Sequence, residues 1–250
     1  MNHQSEQNKK AWEYRAYEFW HERDGAPKEK AEHIMGDPLA CLKKHKHYFA
    51  DVQGKHIANL CGSNGRKAVP LALLGANVTV FDISLENKRY AMELADWAGV
   101  SIDYVVGDIY DIDLAKYGAC FDMLYLEGGI LHYFDDIKRL MGILCGLLKK
   151  DGCMVLSDYH PLRRYFLDDG RDADEIDYFD EGLHESDIAY KQSFTKEEQA
   201  DFPDVMLRSY TLSEIINAAI GAGFTIKEFL EHKGWENENI PWEFTIKAKK

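Results

Sequence analysis

Acidic side chains closely follow three apolar segments that we predict to be buried strands. Asp82, Asp108 and Glu127 each come at or just after the end of a run rich in Val, Ile, Leu, Phe and Tyr. Carboxylates accept strong hydrogen bonds from hydroxyl and amino groups, so acids in this position can hold a polar small molecule. Because the carboxyl ends of parallel strands meet at one edge of a sheet, the three acids predict one shared binding site.

Residues 55–84 have the pattern of a nucleotide-binding βαβ unit. An apolar run is followed by the small-residue turn CGSNG at 61–65, a helical pattern, and a second apolar run that ends on Asp82. Small residues let a ligand approach the backbone, and the free N–H groups of the following helix suit a carboxylate or phosphate. From the end of the second strand, Asp82 can accept both hydroxyls of a ribose. The alternative is an ordinary crossover that binds nothing.

Two histidines are candidates for a general base. His132 follows the fourth predicted strand and His160 follows the fifth. An unperturbed histidine titrates near neutrality, so either could take a proton from a bound substrate. The structural alternatives are that His132 caps the next helix and that His160 only orients the segment before Pro161. Candidate contacts to the acceptor are Tyr17, Tyr133 and Tyr159.

The elements that must position these residues alternate regularly along the chain. Five predicted strands alternate with helices between residues 55 and 157, and two more strands follow at 225–230 and 243–248. This alternation predicts an α/β fold with a doubly wound, mostly parallel sheet and helices on both faces. Ligands bind at the carboxyl ends of such strands, where the acids and histidines described above fall.

Two regions lie outside this alternation. Residues 1–50 are predicted to form an N-terminal helical cap, including one amphipathic helix at 6–23 with an aromatic face, on a domain of residues 51–250. Residues 162–206 read as an insertion, in which the stretch 168–187 holds ten acids and one arginine. The insertion is either a solvated segment or a lid over the substrate site.

Composition restricts the class of protein. A net charge of −13 over 250 residues argues against a partner held through nucleic-acid phosphates. The five cysteines include no CxxC pair, which predicts neither a disulfide framework nor a zinc or other metal site. With a polar start and no apolar run of membrane-spanning length, we expect a cytoplasmic protein without a membrane partner. The sequence leaves open whether it is a monomer or a homodimer.

From about residue 50 onward the chain resembles the class I S-adenosylmethionine-dependent methyltransferases. The family's first motif, acid–x–Gly–x–Gly–x–Gly, reads NLCGSNG at residues 59–65, with only the last glycine in place. Asp82, in VTVFDIS, matches the acid that binds the ribose, and Asp108, in VVGDIYD, matches the acid that binds the adenine amino group. Segments 121–134 and 148–161 resemble the fourth-strand and fifth-strand motifs.

The resemblance implies a fold, a cofactor and a set of binding residues. It implies a seven-stranded sheet of order 3-2-1-4-5-7-6 with the last strand antiparallel, S-adenosylmethionine as cofactor and S-adenosylhomocysteine as product. A sulfonium methyl group is already a strong electrophile, so the protein mainly supplies proximity and orientation. The residues that the resemblance assigns to the cofactor are Asn59, Cys61, Gly62, Ser63, Gly65, Asp82, Ile83, Asp108, Ile109 and Glu127.

The acceptor is expected to be a small molecule methylated on an O, N or S atom. The fourth strand lacks the (Asp/Asn)-Pro-Pro-(Tyr/Phe) run of enzymes that methylate nucleic-acid amino groups, and there is no Pro-Cys nucleophile. Two alternatives stay open. The incomplete glycine motif is compatible with a catalytically silent protein that binds the cofactor or its product. The first βαβ unit taken alone also fits a nicotinamide-dependent oxidoreductase.

Overall fold

A seven-stranded sheet forms the centre of the protein. The computed structural model describes residues 1–166, 176–234 and 239–250, so part of the predicted insertion, 167–175, lies outside the described residues. The strands of the chain are β1 (His56–Leu60), β2 (Asn77–Asp82), β3 (Asp103–Val106), β4 (Phe121–Glu127), β5 (Leu148–Tyr159), β6 (Leu183–Ser186), β7 (Val205–Arg208), β8 (Thr225–Lys233) and β9 (Pro241–Lys249).

The topology confirms the predicted fold class. The order in the large sheet is β3-β2-β1-β4-β5-β9-β8, and β6 pairs with β7 in a separate antiparallel hairpin. Counted within the large sheet, this is the predicted 3-2-1-4-5-7-6. Strands β1 to β5 are parallel, and β9 runs antiparallel between β5 and β8. The carboxyl ends of β1 to β5 therefore share one edge.

Helices cover both faces of the sheet. They are α1 (His3–Glu13), α2 (Ala16–Asp24), α3 (Pro27–Gly36), α4 (Ala68–Leu73), α5 (Leu85–Trp97), α6 (Leu114–Tyr117), α7 (Ile137–Leu147), α8 (Lys196–Gln199) and α9 (Leu212–Gly221), with 3₁₀ helices at Ala40–Tyr48, Ile109–Asp111, Leu131–Tyr133, Pro161–Phe166 and Lys191–Ser193. Helix α7 shows why: Leu140, Met141 and Leu144 recur at helical spacing and are buried, while the Asp136 side chain caps its first turn.

The two faces of the sheet have separate apolar cores. One core packs α1 to α5 and the inserted hairpin against the sheet, and the other packs α7 and α9 against the opposite face. Alternate residues of a strand point to opposite faces, so Ile57 and Leu60 of β1 belong to different cores.

The N-terminal region differs from the prediction of a single helix at 6–23. Helix α1 ends at Glu13 and α2 begins at Ala16, because Arg15 between them has a left-handed backbone with φ 55°. The Arg15 guanidinium forms ion pairs with Glu18 and, at 2.8 Å, with Glu198. This break directs α1 toward the inserted hairpin and α2 toward α5.

The inserted hairpin is attached to α1 by an amide side chain. Asn8 pairs with the backbone of Met206 in both directions: its Oδ1 accepts from the N–H at 2.7 Å and its Nδ2 donates to the carbonyl at 3.0 Å. The Tyr190 hydroxyl donates to the carbonyls of Ala11 and Tyr14 at the end of α1. The described part of the insertion is thus folded against the N-terminal helices.

His45 shows a second difference from expectation. Surrounded by lysines, it reads as a surface residue, but it is 1% exposed. Its Nδ1 lies 2.9 Å from the Tyr125 hydroxyl and its Nε2 lies 3.2 Å from the Thr245 hydroxyl. Burial lowers the pKa of His45 to about 4, so the ring is neutral at pH 7 and links the N-terminal region to the sheet.

Candidate functional site

A cavity of about 290 Å³ lies at the carboxyl edge of the parallel strands. Its floor is formed by residues that follow β1, β2, β3 and β4, and its roof by α1, α2 and the insertion. The predicted site residues that line it are Cys61, Ser63, Asp82, Ile83, Asp108, Ile109, Glu127, Tyr133 and Tyr159, and the roof residues include Trp12, Phe19, Trp20 and Tyr190.

The turn after β1 retains the backbone of a glycine loop although Cys61 and Ser63 replace two of its three motif glycines. Cys61, Ser63 and Gly65 have φ of 49°, 53° and 80°, which is the left-handed region. Such a backbone costs a residue with a side chain on the order of 1–3 kcal/mol. Gly62 is required for space, because an added Cβ would come within 2.6 Å of Val80 and 2.7 Å of Asn59. The loop geometry is therefore kept while Cys61 and Ser63 add side chains that line the cavity.

Asp82 holds the loop and the start of α5 together. One carboxylate oxygen accepts from the Ser63 N–H at 2.9 Å, and the other accepts from the Ser84 N–H at 3.0 Å and from Asn87 Nδ2 at 3.1 Å. Burial raises the pKa of Asp82, and these hydrogen bonds oppose that rise. The carboxylate is fixed at the end of β2, where Asp82 lines the cavity.

Asp108 has a carboxylate oxygen with no protein partner. Its Oδ1 accepts from the Tyr110 N–H at 2.9 Å and so caps the 3₁₀ helix that follows. The residue is only 5% exposed, and among the described residues its buried Oδ2 has no hydrogen-bond partner. A buried carboxylate oxygen without a donor is costly, so this atom indicates a ligand that donates a hydrogen bond.

Opposite charges surround the end of β4. Glu127 Oε2 lies 3.3 Å from Nζ of the buried Lys67, which also donates to the Cys41 carbonyl at 3.1 Å. Burial would raise the pKa of Glu127, but the cations of Lys67 and Arg66 bring it below its usual value. One nitrogen of the Arg66 guanidinium lies 3.8 Å from the position that a Cβ would take at Gly128, and the guanidinium lies over the Trp20 ring. This end of the cavity therefore presents a carboxylate next to a guanidinium.

A hydrogen-bonded chain connects the roof to the floor. Trp20 Nε1 donates to Asn87 Oδ1 at 2.7 Å, and Asn87 Nδ2 donates to Asp82. Sequence reasoning placed Trp20 on an aromatic face but missed Asn87, Arg23 and Arg66, all of which line the cavity. The available signal for Asn87 was a polar residue three positions after the helix-capping Ser84.

Tyr159 separates this cavity from a second one. Its ring packs against Gly129, whose φ is 72° and where an added Cβ would overlap the ring. The Arg163 guanidinium lies 3.6 Å from the centre of the same ring. His132 and His160 line the second cavity, of about 340 Å³, and Tyr159 lines both.

Neither histidine lines the first cavity, and both are neutral at pH 7. Burial and the nearby Arg163 lower the pKa of His132 to about 4. Burial also lowers the pKa of His160, against the opposing charge of Glu231. His160 Nδ1 accepts from the Leu162 N–H at 3.2 Å, and Nε2 lies 3.1 Å from a Glu231 carboxylate oxygen. The ring of His160 is thus held by a hydrogen bond at Nδ1 and faces the Glu231 carboxylate at Nε2 without a hydrogen bond to it.

Asp158 fixes the loop between β4 and α7. Its Oδ2 accepts from the N–H groups of Ile130 and Leu131, both at 2.8 Å. Burial raises the pKa of Asp158 to about 6. The carboxylate thus fastens the backbone beyond Gly129 to the end of β5.

The remaining predicted site residues lie outside the cavity lining. Asn59 donates to the Tyr125 carbonyl at 3.1 Å. Gly62 packs closely against Val80 and Asn59, and Gly65 packs closely against Ala91, so neither glycine lines the cavity. Tyr17 donates to Glu93 at 2.7 Å and is covered by Arg89, on the outer side of α2. In the described parts of the chain, no cluster of His, Cys, Asp and Glu could hold a metal ion, and no helix is long and apolar enough to cross a membrane.

The chain is similar to known proteins over its central part and in its fold. Residues 60–156 match a family model described as a methyltransferase domain. No curated protein matches the chain. A putative S-adenosylmethionine-dependent methyltransferase from Listeria monocytogenes has a TM-score of 0.64 at 21% identity, covering 84% of this chain and 98% of that one.

Two further solved structures show the same fold. An S-adenosylmethionine-dependent methyltransferase from Mesorhizobium loti has a TM-score of 0.64 at 20% identity, covering 86% of this chain and 100% of that one. Magnesium protoporphyrin IX methyltransferase from Synechocystis PCC 6803, with bound SAH, has a TM-score of 0.59 at 12% identity, covering 99% of each chain.

Proposed function

We propose that this chain, a member of the class I S-adenosylmethionine-dependent methyltransferase family, transfers a methyl group to an O, N or S atom of a small-molecule acceptor. The observation that carries the proposal is the row of three carboxylates along one cavity. Asp108 follows β3, while Asp82 and Glu127 end β2 and β4, so the three lie in that order along the edge of the sheet.

The cavity fits the adenosine part of the cofactor. The partnerless Oδ2 of Asp108 would accept a hydrogen bond from the adenine amino group, with Ile83 and Ile109 lining the cavity nearby. Asp82 would accept from the ribose hydroxyls. The Ser63 hydroxyl, which is buried and has no partner, offers a further polar contact in the same loop.

The methionine part is a zwitterion, and the far end of the cavity has matching charges. Glu127 would take the ammonium group and Arg66 the carboxylate. Among the described residues, no carboxylate forms an ion pair with the Arg66 side chain, so its charge is available to a ligand. A guanidinium and a carboxylate oxygen form strong charge-assisted hydrogen bonds. Lys67 would keep Glu127 ionised and in place, and Gly62 gives the loop room to pass close to Asn59.

When bound, the cofactor supplies an electrophilic methyl group, and the protein supplies alignment. Tyr133 and Tyr159 would orient the acceptor from the ends of β4 and β5. Tyr159 is well suited to this role because Gly129 and Arg163 contact its ring from the two cavities. The aromatic rings of Trp12 and Tyr190 would exclude water above the acceptor.

The N-terminal region and the insertion would act together as the roof of the active site. Residues 1–50 would be the helical cap of the domain formed by 51–250, and the insertion at 162–206 would close over the acceptor. In support, Trp12 packs against both Tyr133 of the floor and Tyr190 of the insertion, with ring centroids 5.7 and 5.6 Å apart. The hydrogen bonds between Asn8 of α1 and Met206 of β7 also support this arrangement.

A small acceptor agrees with the enclosure and the charge of the protein. The cavity of about 290 Å³ must hold cofactor and acceptor together. The net charge of −13 would repel a nucleic acid, and three of the four carboxylates on the cavity lining lie at strand ends in its floor. We therefore propose a small metabolite and no nucleic-acid partner.

Cofactor binding and acceptor turnover test the proposal in sequence. Calorimetry should show binding of S-adenosylmethionine and S-adenosylhomocysteine but not of a nicotinamide dinucleotide. A panel of small hydroxyl, amine and thiol compounds should then yield S-adenosylhomocysteine with at least one acceptor class. Binding without turnover on a broad panel would favour the catalytically silent protein, and binding of the nicotinamide dinucleotide alone would favour the oxidoreductase.

A further inference from the structure

The second cavity has a positively charged wall. It lies on the far side of Tyr159 from the cofactor cavity, and its volume is about 340 Å³. Arg163, Arg164 and Arg208 line it together with His132 and His160, whereas Asp158 is its one lining carboxylate in the described parts of the chain. In a protein of net charge −13, such a concentration of cations requires a reason.

The partners of the three arginines differ. Arg208 is neutralised by Glu214 at 2.8 Å. Arg164 donates to the Tyr178 carbonyl at 2.7 Å, which satisfies a donor but does not neutralise the charge. Arg163 lies over the rings of Tyr159 and Trp242, and no ion pair with it occurs among the described residues.

Two buried donors of this wall have no partner. In the part of the chain that the structure describes, the Nε atoms of Arg163 and Arg164 are buried and have no hydrogen-bond partner. The lining carboxylate of Asp158 does not pair with these donors, because it already accepts from the N–H groups of Ile130, Leu131 and Tyr159. An unpaired buried donor costs about 1–3 kcal/mol, and more when it belongs to a charged group. Two such donors in one cavity indicate a ligand that accepts hydrogen bonds and carries negative charge.

We propose that the second cavity is a binding site for a small oxyanion, a carboxylate or phosphate group of a compact molecule. The planar guanidinium of Arg163 matches two oxygens of such a group at once, and Arg164 supplies a second positive charge. The stacking of Arg163 on Tyr159 fixes the direction of its donors. Because Tyr159 is also a wall of the cofactor cavity, the two sites share one residue and remain separate cavities.

Titration of inorganic phosphate, and separately of oxalate, into the full chain tests this site at constant ionic strength with chloride as the balancing anion. We expect saturable binding of at least one of the two probes, weakened at least tenfold in Arg163→Gln. Arg163→Lys keeps the charge but loses the two-oxygen geometry. Its affinity for the probe should therefore fall between those of the wild type and Arg163→Gln. A matched control is Arg89→Gln, which removes an arginine stacked at 3.9 Å on Tyr17 outside both cavities.

The outcomes separate a ligand site from a purely structural stack. Loss of binding in Arg163→Gln with retention in Arg89→Gln supports the site. Absence of saturable binding to the wild-type chain overturns it, as does equal binding by wild type and Arg163→Gln. Should Arg163→Gln fail to fold, Arg164→Gln provides the same comparison, because its Nε is also without a partner. None of these measurements depends on methyl transfer.

Discussion

Asp108 allows a single-residue test of the cofactor cavity. In Asp108→Asn, Oδ1 can still cap Tyr110 while the second oxygen becomes an amino group that cannot accept from adenine. A hydrogen bond to a charged group contributes ~1.5–3 kcal/mol. We expect S-adenosylhomocysteine to bind roughly 10- to 100-fold more weakly by calorimetry, with little change in thermal stability.

A matched control for this substitution is Asp113→Asn. Asp113 is also a helix cap, accepting from the Ala115 N–H at 2.9 Å, but it is exposed and away from the cavity. Its substitution should leave cofactor affinity unchanged. Equal affinity in wild type and Asp108→Asn would remove the basis for placing adenine at the end of β3.

Asp158 should make stability depend on pH in an unusual direction. Burial raises its pKa to about 6 in the folded chain, above the unfolded value of about 3.8. The folded state therefore binds the extra proton between these two pH values, and the contribution of Asp158 to stability falls as pH rises through this window. A difference of about 2 units corresponds to ~3 kcal/mol.

This effect is measured against an amide variant. The difference in free energy of unfolding between wild type and Asp158→Asn should change by ~3 kcal/mol between pH 4 and pH 7. The stability of wild type relative to the variant should fall as pH rises. Asp51→Asn, at an exposed carboxylate, should show no such change. A difference that is constant with pH would contradict the burial of a titrating Asp158.

The histidines are tested by pH–rate profiles once an acceptor is known. Neither His132 nor His160 lines the first cavity, and His160 is engaged by Leu162 and Glu231. We expect His132→Ala and His160→Ala to keep turnover within about tenfold and to keep the acidic limb of the profile. A loss of ~10²-fold or more, with cofactor binding retained, would identify that histidine as the general base.

At the scale of elements, Asn8 connects the N-terminal helix to the insertion. It bonds both backbone groups of Met206, so Asn8→Ala removes the side-chain acceptor of the Met206 N–H, while the Met206 carbonyl keeps the Gln4 Nε2 donor at 2.9 Å. We expect a loss of ~1–3 kcal/mol in the free energy of unfolding. Amide hydrogen exchange at β7 should become faster, while exchange in β1 and β4 follows only the global change.

The neighbouring Gln7→Ala gives the comparison for this prediction. Gln7 reaches the same hairpin through two weaker, exposed hydrogen bonds of 3.3 Å to Glu185 and Asp204. It should change exchange at β7 much less than Asn8→Ala does. If the two variants behave alike, Asn8 does not hold the hairpin in the way that the contacts indicate.

At the scale of the whole molecule, the roof should close more firmly when the cofactor is bound. The chain from Trp20 through Asn87 to Asp82 connects α2 to the cavity floor, and Tyr190 connects the insertion to α1. S-adenosylhomocysteine at 100 times its dissociation constant should raise the free energy of unfolding by about 2.7 kcal/mol. Limited proteolysis in the insertion should slow at the same time.

A nicotinamide dinucleotide at equal concentration serves as the control and should give neither effect. Stabilisation by that dinucleotide instead would contradict the assigned cofactor. Stabilisation by S-adenosylhomocysteine without protection of the insertion, even with an acceptor present, would leave the solvated segment as the better description of residues 162–206.

The sequence alone determined the sheet and the acids at its edge. Strand patterns, the turn after β1 and the position of Asp82 and Asp108 depend on local periodicity and on chain order, which parallel topology converts into one shared edge. The order 3-2-1-4-5-7-6 is therefore found as predicted, and both acids line the cavity. The unusual loop also followed its motif, because backbone geometry was retained where Cys61 and Ser63 replace glycine.

Only the tertiary structure decided which neighbours of these acids face the same space. Tyr17 and Trp20 are three positions apart on one helix, yet only Trp20 reaches the cavity, because the break at Arg15 sets the direction of α2. His132 and His160 follow strands at the correct edge but lie beyond Tyr159, whose ring occupies the space over Gly129. Sequence periodicity places a residue at an edge or on a face, whereas packing between distant segments determines what its side chain can touch.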